Sequence, residues 1–327
     1  MPDKIVIHLF LLLMKLCKIF FTALLMILYV TVSYAQFTYN ELTVDYDSAW
    51  VFKNLSLIPI HFKSTEKENS FMPSQKTPPI TFAEAMALHK VKVQEMQYEM
   101  GADVNWLQIT NHSKQYIMIQ SGEIVEGGKQ DRMIGETKFI APGTIEYVNV
   151  YCVEKRRWDE KPKTFSYQGV ANSEVRKAMD VSGRQADVWK EIDRQFESLK
   201  KKSETFAYLD LYKDAITTDT AYARFFQQKI DECDRNLAGF VFISGDRILS
   251  VEIFSSNDLT RMSYSNMLAS YIQTVLVNGA KPKVSVDTVK SFMNKILMNE
   301  ESQKAFVNAH GKIHKSDNKI IHLLAYP

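Results

Sequence analysis

The chain has 327 residues, 46% hydrophobic and 24% charged, enough apolar material for a sizeable core in one large domain or two smaller ones. Its formal net charge of +2 is too small a surplus to mark a nucleic-acid partner. Of three cysteines only Cys152 and Cys233 lie beyond residue 35, too few for a disulfide-stapled scaffold or a zinc cluster.

From Met14 the sequence reads Met-Lys-Leu-Cys-Lys, runs uncharged from Ile19 to Val32, and reaches Ser33-Tyr34-Ala35 before Gln36. A basic start, an apolar stretch and small residues at −3 and −1 form the pattern of a secretory signal peptide over residues 1–35. The uncharged stretch is shorter than the roughly 20 residues that span a bilayer. An uncleaved anchor that also uses Ile5–Leu13 is the competing reading. Met14 is itself a candidate for the true start, and no cysteine follows Ala35 to carry a lipid anchor. The expectation is therefore an exported chain, periplasmic or extracellular, with no stable membrane span after cleavage. Removing three basic residues and one acidic residue from 40 and 38 leaves 37 of each, so the mature chain is formally neutral. Of its two cysteines, Cys152 sits in a β-type run and Cys233 follows a helical segment. Two unpaired thiols fit these contexts better than a disulfide, and the pairing stays open.

Along the mature chain, 54–62 reads as a strand whose proline favours an edge or an end. Residues 64–79 are polar and proline-rich, a loop. Thr81 caps a short helix reaching His89, with Glu84 at the capping-box position. Val91 to Tyr98 alternates as a strand. Segments 105–110 and 115–120 follow, split by Asn111-His112-Ser113, a hairpin-type turn. Phe139-Ile140 leads into Pro142-Gly143 and a strand over 145–153. Near residue 172 the character changes. Val188, Trp189, Ile192, Phe196 and Leu199 fall at helical spacing within 185–202, ending in a solvated Lys200–Lys202 run. A helix covers about 220–233, and 239–254 is a hairpin turning at Gly245-Asp246. Helices over 259–276 and 286–298 precede a final strand pair within 312–326. The fold class expected is α+β with mostly antiparallel strands. A β-rich part, sandwich or barrel, covers about 36–165, and an α+β part about 172–327.

The run from Trp106 to Trp158 concentrates chemistry. Glu123-Ile-Val-Glu126-Gly127-Gly128-Lys129-Gln130-Asp131-Arg132 sets polar residues of several catalytic types around two adjacent glycines, and Glu154-Lys-Arg-Arg157-Trp158 follows. Two glycines let the backbone approach a ligand. Lys129 and Arg132 supply charge, with a fork in Arg132 suited to phosphate or carboxylate. Gln130 and Asp131 add donors and acceptors, and Arg157 with Trp158 could stack on a base or sugar. The alternative is a bulged hairpin in which Arg132 pairs with Glu123 or Glu154 to fasten strands, with Trp158 a core residue. Glu123, Glu126 and Glu154 are the candidate proton-handling residues, should burial raise a carboxyl pKa. His112 lacks a ligand partner, and His310 and His314 flank Gly311 in a non-helical segment, so no metal site is expected. No cofactor is implied either: Gly-x-Ser-x-Gly, phosphate-loop, dinucleotide and CxxC patterns are absent.

These residues resemble a known family. The series Ser121-Gly-Glu123, Glu126-Gly-Gly-Lys-Gln-Asp-Arg132, Pro142-Gly143, Val150-Tyr-Cys-Val-Glu154 and Arg157-Trp158 is similar to the domain named for its association with ADP-ribosylglycohydrolases and rhodanese-phosphatase-superfamily proteins. Ile80-Thr-Phe-Ala-Glu-Ala85, Ala186-Asp-Val-Trp189 and the 239–254 hairpin extend the resemblance over the mature chain. It implies a link to ADP-ribose by association and carries no established reaction. Three functions stay open. The first is a module binding a small anionic or ADP-ribose-like molecule at 122–132. The second is a hydrolase or transferase using Glu123, Glu126 or Glu154 with Arg132. The third is a structural or partner-binding protein.

Overall fold

Alternation along the 239–254 hairpin dictates a sheet buried on both faces. Phe240 and Phe242 point to one side, Val241 and Ile243 to the other, and all are buried. The computed structural model describes residues 37–64, 77–98, 101–157, 164–212, 220–233, 236–316 and 318–327. The segment expected to be a signal peptide, most of the 64–79 loop and Trp158 lie outside these residues. Residues 36–327 group as one unit.

The hairpin strands are β13 (Leu237–Ser244) and β14 (Arg247–Phe254). Gly245 has φ +59° at the turn, as a type II′ connection requires. They form the centre of an antiparallel sheet that runs β1 (Leu42–Val44), β3 (Leu55–Phe62), β13, β14, β16 (Lys319–Ala325), β15 (Gly311–Ser316), with β2 (Trp50–Phe52) also on β3. The first three strands thus complete a sheet made by the last four. One face packs Phe240, Phe242 and Phe254 under α5 (Thr220–Asp231) and α6 (Asn257–Asn278), through Phe226, Tyr264, Met267 and Tyr271. The other packs Val241, Val251 and Ile253 under α7 (Val286–Leu297) and α8 (Glu300–His310), through Phe292, Met293 and Val307.

Pro59 does not sit on an edge strand. β3 is interior, yet β1 pairs with residues 60–62 and β2 with 55–57. Proline occupies the gap between them, where its missing N–H breaks no ladder bond.

The second body of structure is a small β-core. Its larger sheet runs β12 (Ser166–Val170), β8 (Glu123–Glu126), β9 (Arg132–Ile134), β11 (Ile145–Cys152), β6 (Gly101–Asn111), β5 (Val91–Tyr98). A three-stranded sheet, β10 (Lys138–Ile140), β7 (Ile117–Ile119), β4 (Ile80–Thr81), faces the same interior. The inner side carries Val91, Val93, Leu107, Ile109, Val125, Ile134, Val148 and Val150, closed by Phe82 and Phe165. Phe82 opens α1 (Phe82–Ala87), capped by Thr81, whose hydroxyl accepts the Glu84 N–H at 3.2 Å. The helix stops two residues before His89, which takes φ +52°. Against the outer side, Ile124, Met133 and Val153 meet Val175, Met179, Val188, Ile192 and Phe196. These belong to α2 (Ser173–Ser182) and α3 (Gln185–Leu199), with α4 (Tyr208–Tyr212) beside them.

The hairpin expected at 111–113 does not form, because β6 pairs with β5 and β11 whereas β7 pairs with β10 and β4. The buried Asn111 amide donates to the carbonyls of Gln115, Ile140 and Ala141, and its oxygen accepts from Ser113. The side chain turns the strand out of one sheet toward the other. All in all the class is α+β with mostly antiparallel strands.

Candidate functional site

The strand pair β8–β9 sets the Gly-Gly turn at one end of the β-core, in the register Ile124↔Met133 and Val125↔Arg132. Gly127 and Gly128 take φ +143° and +55°. A Cβ on Gly128 would lie 2.7 Å from a Glu95 carboxyl oxygen and 2.8 Å from the Phe165 ring, so conformation and space both demand glycine. Two backbone donors of the turn are already engaged. Gly127 N–H reaches Asp131 Oδ1 at 3.2 Å, and Lys129 N–H reaches Glu95 Oε1 at 2.9 Å.

The two arginines of the region differ in how their donors are used. Arg157 is spent on a clasp: Nε donates to Glu154 Oε2 at 2.7 Å, Nη1 to the Gly128 carbonyl at 2.7 Å, and Nη2 to Asp131 Oδ1 at 3.0 Å. Glu154 also lies 2.6 Å from Nη2 and accepts the Asp131 N–H at 3.4 Å. Arg132 faces the core interior, opposite Val125 and Cys152. It is 1% exposed, yet its contacts are long: Nη2 to Glu95 Oε1 at 3.4 Å and Nη1 to Gln130 Oε1 at 3.5 Å. Arg132 Nε and Gln130 Nε2 have no partner among the described residues. Two adjacent buried donors thus have no acceptor among the described residues.

Of the three candidate carboxylates, Glu154 belongs to the clasp, and Glu126 is half-buried and accepts from Gln168 at 2.8 Å. Glu123 is 1% exposed on the interior side. Its Oε2 accepts the Gln120 N–H at 2.7 Å, and its Oε1 accepts from Asn266 Nδ2 at 2.9 Å and Tyr167 Oη at 3.2 Å. Burial pushes its carboxyl up to about 7 against those three hydrogen bonds, which act the other way.

With this geometry in place, comparison with known proteins supplies the context. The model of the ARG and Rhodanese-Phosphatase-superfamily-associated Protein domain (ARPP-1) matches residues 43–324. The chain belongs to this family. No curated protein and no solved structure matches it. The ARPP-1 match spans both the sheet of β1–β3 with β13–β16 and the β-core carrying the Gly-Gly turn.

Within this ARPP-1 chain, four residues at the turn and beside it were not singled out from sequence: Glu95, Gln120, Tyr167 and Asn266. Glu95 had a readable signal, as a polar residue in the inward phase set by Val91 and Val93. Asn266 had none, because it is one polar position in a long helix. The remaining candidates lie elsewhere. His112 is exposed, His310 stacks on Phe306 at 4.6 Å, and His314 is buried in β15. Cys152 and Cys233 are not joined in a disulfide, and burial raises the Cys152 thiol. Among the described residues no His, Cys, Asp and Glu cluster could hold a metal ion, and no helix is long and apolar enough to cross a membrane.

A second buried polar centre joins α2 to β14, β16 and α6. Arg176 grips Glu252 with two bonds of 2.8 and 3.1 Å, and Glu252 also accepts from Tyr271 at 2.6 Å and meets His322 Nε2 at 3.1 Å. Arg176 and His322 hold the Glu252 carboxyl down at about 2 against the opposing effect of burial. Tyr326 donates to Asp180 at 3.0 Å nearby. Arg176 Nε has no partner among the described residues, but both terminal nitrogens are held by Glu252 at close range, which fits a structural joint better than a ligand site.

Proposed function

We propose that the chain binds a small anionic molecule at the end of the β-core, beside Arg132 and Gln130. The observation that carries this reading is that two adjacent buried donors, Arg132 Nε and Gln130 Nε2, have no acceptor among the described residues. A buried donor without an acceptor costs about 1–3 kcal/mol, and a phosphate or carboxylate oxygen would satisfy both at once. The adjacent Arg157 clasp fixes the turn, while Arg132 is held only by long contacts to Glu95 and Gln130, with half-buried Lys129 at the flank. The name of the ARPP-1 family makes ADP-ribose, a diphosphate-containing ligand, the first to try. A thermal-shift screen of the mature chain against ADP-ribose, NAD, nucleotides and sugar phosphates tests the reading. Stabilisation of roughly 2.7 kcal/mol at 100 times the dissociation constant is expected, with loss in Arg132→Ala. A flat screen, with Arg132→Ala merely melting earlier, favours a strand fastening.

A hydrolase or transferase is the second reading, and the raised Glu123 carboxyl favours it. Glu123→Gln would then abolish turnover of a bound ligand while sparing its affinity. We also propose that the chain is exported, on the strength of the basic start, apolar stretch and Ser33-Tyr34-Ala35 in the sequence. N-terminal sequencing of secreted protein should begin at Gln36; retention of residues 1–35 contradicts cleavage.

A further inference from the structure

Glu123 lies where α6 crosses the edge of the β-core, and the groups around it form a closed set. Among the described residues its partners are Gln120, Tyr167 and Asn266, and no cation pairs with it. Tyr167 Oη also lies 3.0 Å from Asn266 Oδ1, and Asn266 Nδ2 lies 3.2 Å from Gln120 Oε1. The hydroxyl of Tyr167 can therefore face either way. With Glu123 ionised, it donates to the carboxylate, as does Asn266 Nδ2. With Glu123 neutral, the carboxyl proton goes to Tyr167 Oη, Tyr167 donates to Asn266 Oδ1, and Asn266 donates to Gln120. Both arrangements draw on the same donors and acceptors, and they differ by one proton.

The two are not equal in cost. The ionised form sits at 1% exposure with two neutral side chains and one backbone N–H for support. The outer members, Tyr167 and Asn266, are half-buried, so the set reaches from the interior toward the surface. Other titratable groups on the surrounding elements are committed elsewhere. On α6, Tyr264 donates to the Phe226 carbonyl and Tyr271 to Glu252. On α2, Arg176 is held by Glu252. On β9, Arg132 pairs with Glu95.

We propose that Glu123, Tyr167, Asn266 and Gln120 form a proton-dependent latch that holds α6 against β8 and β12, closed when Glu123 carries its proton and loosened when it does not. The latch does not depend on a ligand at Arg132. Loosening would open the seam beside Tyr167 toward the apolar interior that Val125, Phe165 and Phe82 line.

The test uses the full purified protein and two readouts. Carbon-13 NMR of labelled glutamate follows the Glu123 carboxyl, assigned by its loss in Glu123→Gln. Hydrogen exchange, corrected for intrinsic rates, follows peptides of β8, β12 and the first half of α6, with α7 as the reference. The carboxyl should titrate near 7, and protection at the seam should fall as pH rises through the same midpoint while α7 holds. Glu123→Gln should remove the pH dependence, and Tyr167→Phe should move the midpoint upward, since its hydroxyl supports the ionised form. A carboxyl titrating near the ordinary 4.5 overturns the proposal without any variant having to fold. So does a pH-dependent seam that is unchanged in Glu123→Gln.

Discussion

At the scale of single residues, two arginines 25 positions apart carry opposite assignments. Arg157 touches two carboxylates and a carbonyl, all buried, and its removal takes the clasping guanidinium from both Asp131 and Glu154. Loss of one partner from such a pair typically costs about 3–5 kcal/mol. Arg157→Ala should therefore lower unfolding free energy by that amount in denaturant titration, and a change under 1 kcal/mol would contradict the clasp. Arg132→Ala should cost less stability, since its contacts are long, and its main effect should fall on ligand affinity. The sequence drew attention to both residues and to the glycines between them, because charged residues beside paired glycines are locally visible. It could not divide their roles. That division depends on Glu95, placed opposite the turn by the pairing of β5 with β6, and on Glu154, brought back by β11.

At the scale of elements, local signals were reliable where one element explains itself. The Thr81 cap, the Gly245-Asp246 turn and the apolar stripe of α3 were all legible. The Asn111 turn was not, because its partners come from residues 140 and 141 and send the strand into a second sheet. Pro59 misled for a similar reason: a gap between two short neighbouring strands does for an interior strand what an edge does elsewhere. The helix α8 and the cap of α2 were also not read from sequence. Asn172 caps α2 by accepting from Glu174 and Val175 N–H groups at 3.1 Å each, while its amide donates to Gln195 at 2.7 Å. Losing an N-cap typically costs about 0.5–2 kcal/mol, and the buried Gln195 bond adds to it. Asn172→Ala should accordingly destabilise by roughly 2 kcal/mol in thermal or chemical unfolding, and by more than Asn172→Asp, which keeps the cap.

At the scale of the molecule, buried titratable groups tie stability to pH with opposite signs. His314 is held neutral by burial, by His322 and by the cations Lys312 and Arg176, well below its usual 6.5. Its Nδ1 accepts the Thr137 N–H at 3.1 Å. The unfolded chain takes up this proton below pH 6.5 and the folded chain does not. The fold should then lose up to about 1.4 kcal/mol per pH unit on acidification, and His314→Gln should flatten that slope. Glu123 works the other way. Its carboxyl is raised from 4.5 to about 7, so its stabilising effect is complete below 4.5 and gone above 7. The difference is roughly 3 kcal/mol at one-unit equivalence of 1.36 kcal/mol. Unfolding curves of Glu123→Gln and His314→Gln between pH 4.5 and 8 should separate the two slopes; identical curves would place the pH dependence elsewhere.

The central claim is that an anion completes the buried donors of Arg132 and Gln130, and calorimetric titration of residues 36–327 with ADP-ribose tests it most directly. Binding by the wild type and by Glu123→Gln, with at least a tenfold loss in Arg132→Lys, which keeps the charge but not the fork, is the predicted result. No heat from the folded wild type, or binding undiminished in both Arg132→Lys and Arg132→Ala, would contradict it.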